Sequence, residues 1–290
     1  MPHIEAFYGA LTQSSARIYA QCPDLPGGGE WSLGGSVKGP VCEGVRTLPA
    51  TAELVDLGEG ATLLARATML DPSLWSPDLP ARYELEIELL RDGQLVETFQ
   101  RTIGLRQLGG DGRDLRWQGR RWVMRGVTRD EAGAAELDFC RAERTTLVIA
   151  RPTDELLRAA SLTGVLLAVE VQSPELPATV RHLARWPAVG MIIAPNAAEM
   201  FQDVDAAALN LLRAARINPA GTSSLAAWAD VVFGDASQPA RLAEFAADCD
   251  LPVVAERKLR RTSSLQAARA ACDYLQRDLA PLGEFAGYVV

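Results

Sequence analysis

Two histidines, His3 and His182, are all that these 290 residues contain. That scarcity argues against a Ser–His–Asp relay and against any metal site built from several imidazoles. Cysteine is scarce as well, and poorly placed for pairing. Cys22, Cys42, Cys140, Cys249 and Cys272 are odd in number, far apart and without a CxxC pair. They read as reduced, buried thiols of a cytoplasmic protein rather than as a disulfide framework or a zinc site. No apolar run approaches the ~18–20 residues that a membrane helix needs. The opening MPHIEAFYGALTQ has neither the basic nor the apolar region of a secretory signal, so none is expected. Positive charge is in deficit, 29 Lys and Arg against 37 Asp and Glu, for a net charge of −8. Nucleic acid and anionic lipid, which need basic patches, are therefore not expected partners. The glycine clusters spell neither GxGxxG nor a P-loop, and the loop acids lack EF-hand spacing, so no cofactor and no metal are expected. Carboxylate chemistry survives these exclusions.

What is present divides the chain in two. The first hundred or so residues carry alternating apolar segments at 16–22, 62–69 and 82–90, separated by Gly27–Gly29, Gly58–Gly60 and Asp92–Gly93. The last pair, between 83–90 and 95–103, has the pattern of a β-hairpin, and short strands at this spacing predict an antiparallel sandwich. The glycines of LGGDGRD, at 109–112, read as the junction. Beyond it the rhythm changes to short aliphatic runs at 122–127, 145–150, 165–171, 189–194, 217–221, 231–234, 253–255 and 285–290. Helical stretches are predicted between them, at 154–162, 177–184, 203–216, 239–249 and 263–279, with a very short link after the first run. Eight runs alternating with helices predict parallel strands closed into a barrel, although a doubly wound open sheet satisfies the same periodicity. The basic run from Arg113 to Arg125 alternates with apolar residues at strand period and reads as a solvated strand face.

Several segments, in order, resemble glycoside hydrolase family 2, the group of β-galactosidases and β-glucuronidases. DPSLWSP at 71–77, the turn at Asp92–Gly93 and IGLR at 103–106 are similar to the family's immunoglobulin-like domain. WQGR at 117–120 and RGV at 125–127 resemble its passage into the barrel. TGVLL at 163–167 followed by Glu170, WPAV at 186–189 followed by Asn196, DVV at 230–232 and LPVVAE at 251–256 resemble strands three, four, six and seven. The likeness covers roughly residues 60–290. It implies a multidomain β plus α/β protein: an immunoglobulin-like β-sandwich over 1–110 followed by a compact (β/α)8 TIM barrel over 111–290. The family's separate jelly-roll domain is expected to be absent or reduced to the opening segment.

Retaining glycosidases place two carboxyl groups about 5–5.5 Å apart, one a general acid and the other a nucleophile. Carried over from the resemblance, the acid/base position falls on Ala197, directly after Asn196, and a methyl group moves no proton. Glu199, two residues on, is a candidate substitute only if an ångström-level displacement is tolerated. Glu256 matches the nucleophile in kind. Three residues separate it from Pro252 where the family usually has four, and Arg257 follows where an aromatic is usual. Arg257 is expected to pair with a carboxylate and hold it ionised. The family's strand-two arginine and strand-six tyrosine have no counterparts, the latter giving way to Gly234–Asp235–Ala236. Glu170 reads equally as a ligand for a sugar hydroxyl and as an acid satisfied by local hydrogen bonds. Trp186 and Trp228 read as packing, with stacking on a sugar ring as the alternative.

These residues point to a non-catalytic family 2-like protein binding a carbohydrate or a protein partner at the barrel mouth, lined by Glu170, Asn196, Asp235, Glu256 and Arg257. Two alternatives stay open. One is an active O-glycosyl hydrolase or transglycosidase using Glu256 with an unconventional acid. The other is a structural or assembly protein.

Overall fold

The computed structural model describes residues 3–24, 28–58, 60, 62–172, 176–197, 201, 210–221, 224–258 and 264–290. They fall into two units, Met1–Arg106 with Arg181–Pro187 and Asp205–Asn210, and Gln107–Val180 with Ala188–Val204 and Leu211–Val290.

Strict alternation of apolar and polar residues builds the first unit, because successive strand side chains point to opposite faces. Its strands are β1 (Glu5–Gly9), β2 (Ser15–Cys22), β3 (Trp31–Val41), β4 (Ala50–Glu53), β5 (Val55–Asp56), β6 (Leu63–Leu70), β7 (Arg82–Arg91) and β8 (Gln94–Ile103). They pair as two four-stranded sheets, β1-β2-β6-β5 and β4-β3-β7-β8. Ile18 of β2 and Ala65 and Ala67 of β6 share one buried cluster with Leu85, Ile87 and Leu89 of β7, so the sheets form a sandwich around a common core. The hairpin expected at Asp92–Gly93 joins β7 to β8, with Arg91 paired to Gln94 and both turn residues at positive φ (51° and 75°). That conformation favours Asp-Gly.

The 71–77 segment is held by packing. Trp75 is fully buried, and the Tyr83 hydroxyl accepts a hydrogen bond from the Ser73 N–H at 2.8 Å. Arg106 stands 5.9 Å over the Trp75 ring and donates to the carbonyls of Pro187 and, at 3.0 Å, Asn210. A Cβ on Gly104 would meet the Pro187 side chain at 2.7 Å and Trp75 at 3.0 Å, which leaves room for glycine alone.

The second unit begins with a small antiparallel sheet of β9 (Leu108–Asp111), β10 (Asp114–Trp117) and β11 (Arg120–Arg121). There follow β12 (Met124–Arg129), α1 (Ala134–Ala142), β13 (Thr146–Ile149), α2 (Asp154–Thr163), β14 (Leu167–Glu170), α3 (Leu176–Ala184), β15 (Val189–Pro195) and β16 (Leu212–Ile217). The chain continues through β17 (Val231–Asp235), α4 (Pro239–Asp248), β18 (Val253–Glu256), α5 (Leu265–Leu279) and β19 (Gly287–Val289). Strands β12 to β19 are all parallel, and β19 pairs back with β12. The sheet is a closed barrel, which overturns the doubly wound alternative. Val148, Ala168, Met191, Ala214, Phe233 and Val254 fill its interior. Leu115 of β10 joins that cluster beside Met124, Val231 and Ala286, all at strand beginnings, so the small sheet stoppers the N-terminal end of the barrel.

Local signals place the helices. The Thr153 side chain accepts from the Leu156 N–H at 3.2 Å, and Gly164 ends α2 at φ 82°. The Ser264 side chain accepts from the Ala267 N–H at 3.1 Å, and Ala268, Cys272, Leu275 and Leu279 form the buried face of α5.

Three expectations need correction. The link after β12 is not minimal, since it carries α1, whose Glu136 carboxylate accepts from the Gly133 N–H at 2.9 Å. The helix expected over 203–216 lies partly outside the described residues, and 212–216 belong to β16, so the strand expected at 217–221 sits upstream. Arg213 and Arg216, three apart, mimic a solvated helix face, but both are paired: Arg213 makes two side-chain bonds of 2.9 Å with Asp230. The regular (β/α)8 alternation is also incomplete among the described residues, where helices α1 to α5 occupy five connections and none lies between β16 and β17.

Candidate functional site at the barrel mouth

Parity along the strands decides what reaches the barrel mouth. Ala168, Ala214 and Val254 point inward, so Glu170, Arg216 and Glu256, two residues further along β14, β16 and β18, point inward as well. They come from alternate strands at their C-terminal ends, the position of a single interior layer. Arg216 binds both acids. Its Nε donates to Glu256 Oε2 at 2.9 Å, and its Nη2 donates to Glu256 Oε1 at 2.8 Å and to Glu170 Oε1 at 2.7 Å. The Glu256 side chain is only 6% exposed, against 20% for Glu170 and 26% for Arg216.

Burial pushes the Glu256 carboxyl above its ordinary range, with the Glu170 charge adding to the rise and the Arg216 guanidinium opposing it. For Arg216, burial disfavours the cation, but the two carboxylates outweigh it and hold the guanidinium above its usual range. Both oxygens of Glu256 are thus committed to one cation. Each of those oxygens keeps a second lone pair that can accept a further hydrogen bond.

The remaining expected residues make contacts of their own. Asn196 spends its amide on its neighbours, donating to the Ser224 carbonyl at 2.9 Å and accepting from the Ala226 N–H at 2.8 Å. Asp235 lies beside Glu256 in register, and its carboxylate accepts from the Ser237 N–H at 2.9 Å, closing its own turn. Arg257 does pair with a carboxylate, that of Asp278 of α5 at 2.9 Å, and the cation on Glu256 is Arg216. Alternation explains the swap, because Arg257 directly follows an inward residue and faces out. Trp228 donates to the Ala197 carbonyl at 2.8 Å and packs 4.7 Å from Phe201, the packing role expected for it. Glu199 lies outside the described residues. Arg216 escaped sequence reasoning because it was assigned to a helix; two acids at the inner ends of strands three and seven are the signal that a cation must stand between them. Among the described residues no group of three His, Cys, Asp or Glu side chains converges as a metal site would require.

Residues 10–106 match the family model described as Glycosyl hydrolases family 2. The match takes in the sandwich from β2 to β8. The match begins well before the motifs at 71–106 and ends where the barrel unit starts. No curated protein matches the chain. Among solved structures, the chain is similar to a calcium-binding mutant of β-glucuronidase 2 from Bacteroides uniformis, at 16% identity and TM-score 0.61 over 99% of this chain and 45% of that one. It is similar to a glycosyl hydrolase family 2 member from Bacteroides cellulosilyticus, at 15% identity and TM-score 0.66 over 99% and 43%. It also resembles a β-D-glucuronidase from Dictyoglomus thermophilum, at 13% identity and TM-score 0.63 over 99% and 61%. These likenesses are of fold, and the chain spans only 43% to 61% of the length of those proteins.

Proposed function

We propose that this chain is a non-catalytic relative of the family 2 glycoside hydrolases, whose trimmed (β/α)8 barrel holds a carbohydrate at its mouth. The observation that carries the reading is the double engagement of Glu256 by Arg216, taken with an alanine at the position where the resemblance puts the proton donor. The free edges of the Glu170–Arg216–Glu256 cluster offer acceptors and donors to sugar hydroxyls. A protein partner at the same mouth, or a purely structural role, are the outcomes left if no sugar binds.

The test is incubation with a panel of activated 2-deoxy-2-fluoro glycosyl fluorides, followed by intact mass analysis. The non-catalytic reading expects no mass gain from folded protein. A gain that disappears in Glu256→Gln would replace it with an active enzyme using Glu256 as nucleophile. Glycan-array binding that is lost in Glu170→Gln supports the carbohydrate; silence across the array sinks it.

A further inference from the structure

The opposite end of the same barrel unit carries a cavity of about 370 Å³ that the mouth does not use. Ala243, Ala246 and Ala247 of α4 form one wall, and Leu251, Leu282 and Phe285 complete an apolar lining. Four charged side chains stand around it, Arg113 and Asp114 from the β9–β10 hairpin, Arg121 of β11 and Glu284 before β19. Their charges sum to zero but are not equally engaged. Arg121 is neutralised twice, by Asp114 at 2.8 Å and by Glu284 at 2.9 Å. Arg113 sits just past Gly112, which takes φ 54° to turn the hairpin, and makes no hydrogen bond or ion pair with the described residues. It is nevertheless near the α4 end of the cavity: burial pushes the Cys249 thiol up, and Arg113 is among the groups that oppose this.

We infer that this cavity binds a small amphipathic carboxylate, its apolar body against the alanine and leucine walls and its anionic head on Arg113. The size is that of small-molecule sites, which are mostly apolar with a few placed polar groups. A guanidinium with no hydrogen-bond partner among the described residues offers the fork that a carboxylate fits. An ammonium finds no such vacancy, because the two acids already share Arg121. The site is independent of the barrel mouth and of whatever binds there.

The probe is 3-phenylpropanoate, titrated by calorimetry and by saturation-transfer NMR, beside phenethylamine as its cationic counterpart. The expected affinity is about 1 mM, the order set by a ligand of this size. Arg113→Gln, an exposed turn position, is expected to weaken it about tenfold, the loss of one charge-assisted hydrogen bond. Ala243→Met, which projects bulk into the cavity from a half-buried site, is expected to weaken it similarly. Glu256→Gln is expected to leave it unchanged, which separates this cavity from the mouth. The inference is overturned if 3-phenylpropanoate shows no saturation, if phenethylamine binds as well, or if Arg113→Gln binds like the parent.

Discussion

Two layers of one barrel solve the same packing problem with opposite chemistry. Near its middle, Ala168, Ala214, Phe233 and Val254 fill the interior with hydrocarbon. One step along the strands, Glu170, Arg216 and Glu256 fill it with charge. The apolar layer is stabilised by area and shape, and tolerates no vacancy. The charged layer is stabilised only while every member is paired, because each ion gave up its water. The difference separates a layer whose function is to hold the barrel from one kept for something else.

Four changes would break or sharpen that contrast. The largest loss is expected for Phe233→Ala in the apolar layer, about 3–5 kcal/mol by denaturant unfolding and insensitive to pH. Arg216→Met should cost about 3 kcal/mol near neutral pH, the low end for a broken buried pair because the guanidinium keeps some exposure. This loss should shrink on acidification. Burial already raises the Glu256 carboxyl, and removing the cation raises it further, so the native state holds the proton more tightly than the unfolded chain. Stability is then lost as pH rises from the ordinary carboxyl range through the raised one, and returns as pH falls. A flat pH profile for Arg216→Met would mean the cluster carries no such tension. Replacing all three together, Glu170→Leu, Arg216→Met and Glu256→Leu, should cost less than Arg216→Met alone, about 1 kcal/mol or nothing, since no ion is left unpaired. Thr153→Ala, outside both layers, should remove one helix cap for about 1 kcal/mol.

The same contrast governed what could be read from sequence. The sandwich was legible because alternation, an Asp-Gly turn and a buried Trp75 all say the same thing locally. Seven of the barrel strands follow aliphatic runs of their own. β16 does not: Leu-Arg-Ala-Ala-Arg-Ile has two cations whose partners, Asp230 and the pair Glu170 and Glu256, lie on other strands. Charge satisfied by tertiary contact looks like charge satisfied by water until the contact is known. Misplacing β16 hid Arg216, and with it the reason that Glu256 is held and Arg257 is free to serve α5. Glu170 and Glu256 were found through the resemblance of strands three and seven. Asn196 was found by resemblance, but its loop-pinning bonds depend on residues thirty positions away.

The seam between β12 and β19 has a further consequence, for how the chain is made. Gly126 pairs with Val289, and a Cβ on Gly287 would lie 2.7 Å from Met124, so the first and last strands of the barrel meet intimately. A ribosome delivers about 5–20 residues per second, so the first strand waits roughly 8 to 30 s for its partner. Through that interval β12 presents an unpaired edge, the kind that invites the wrong neighbour. The sandwich, whose strands are complete long before, has no such wait. Closure of the barrel is therefore the last pairing the chain can make as it is synthesised.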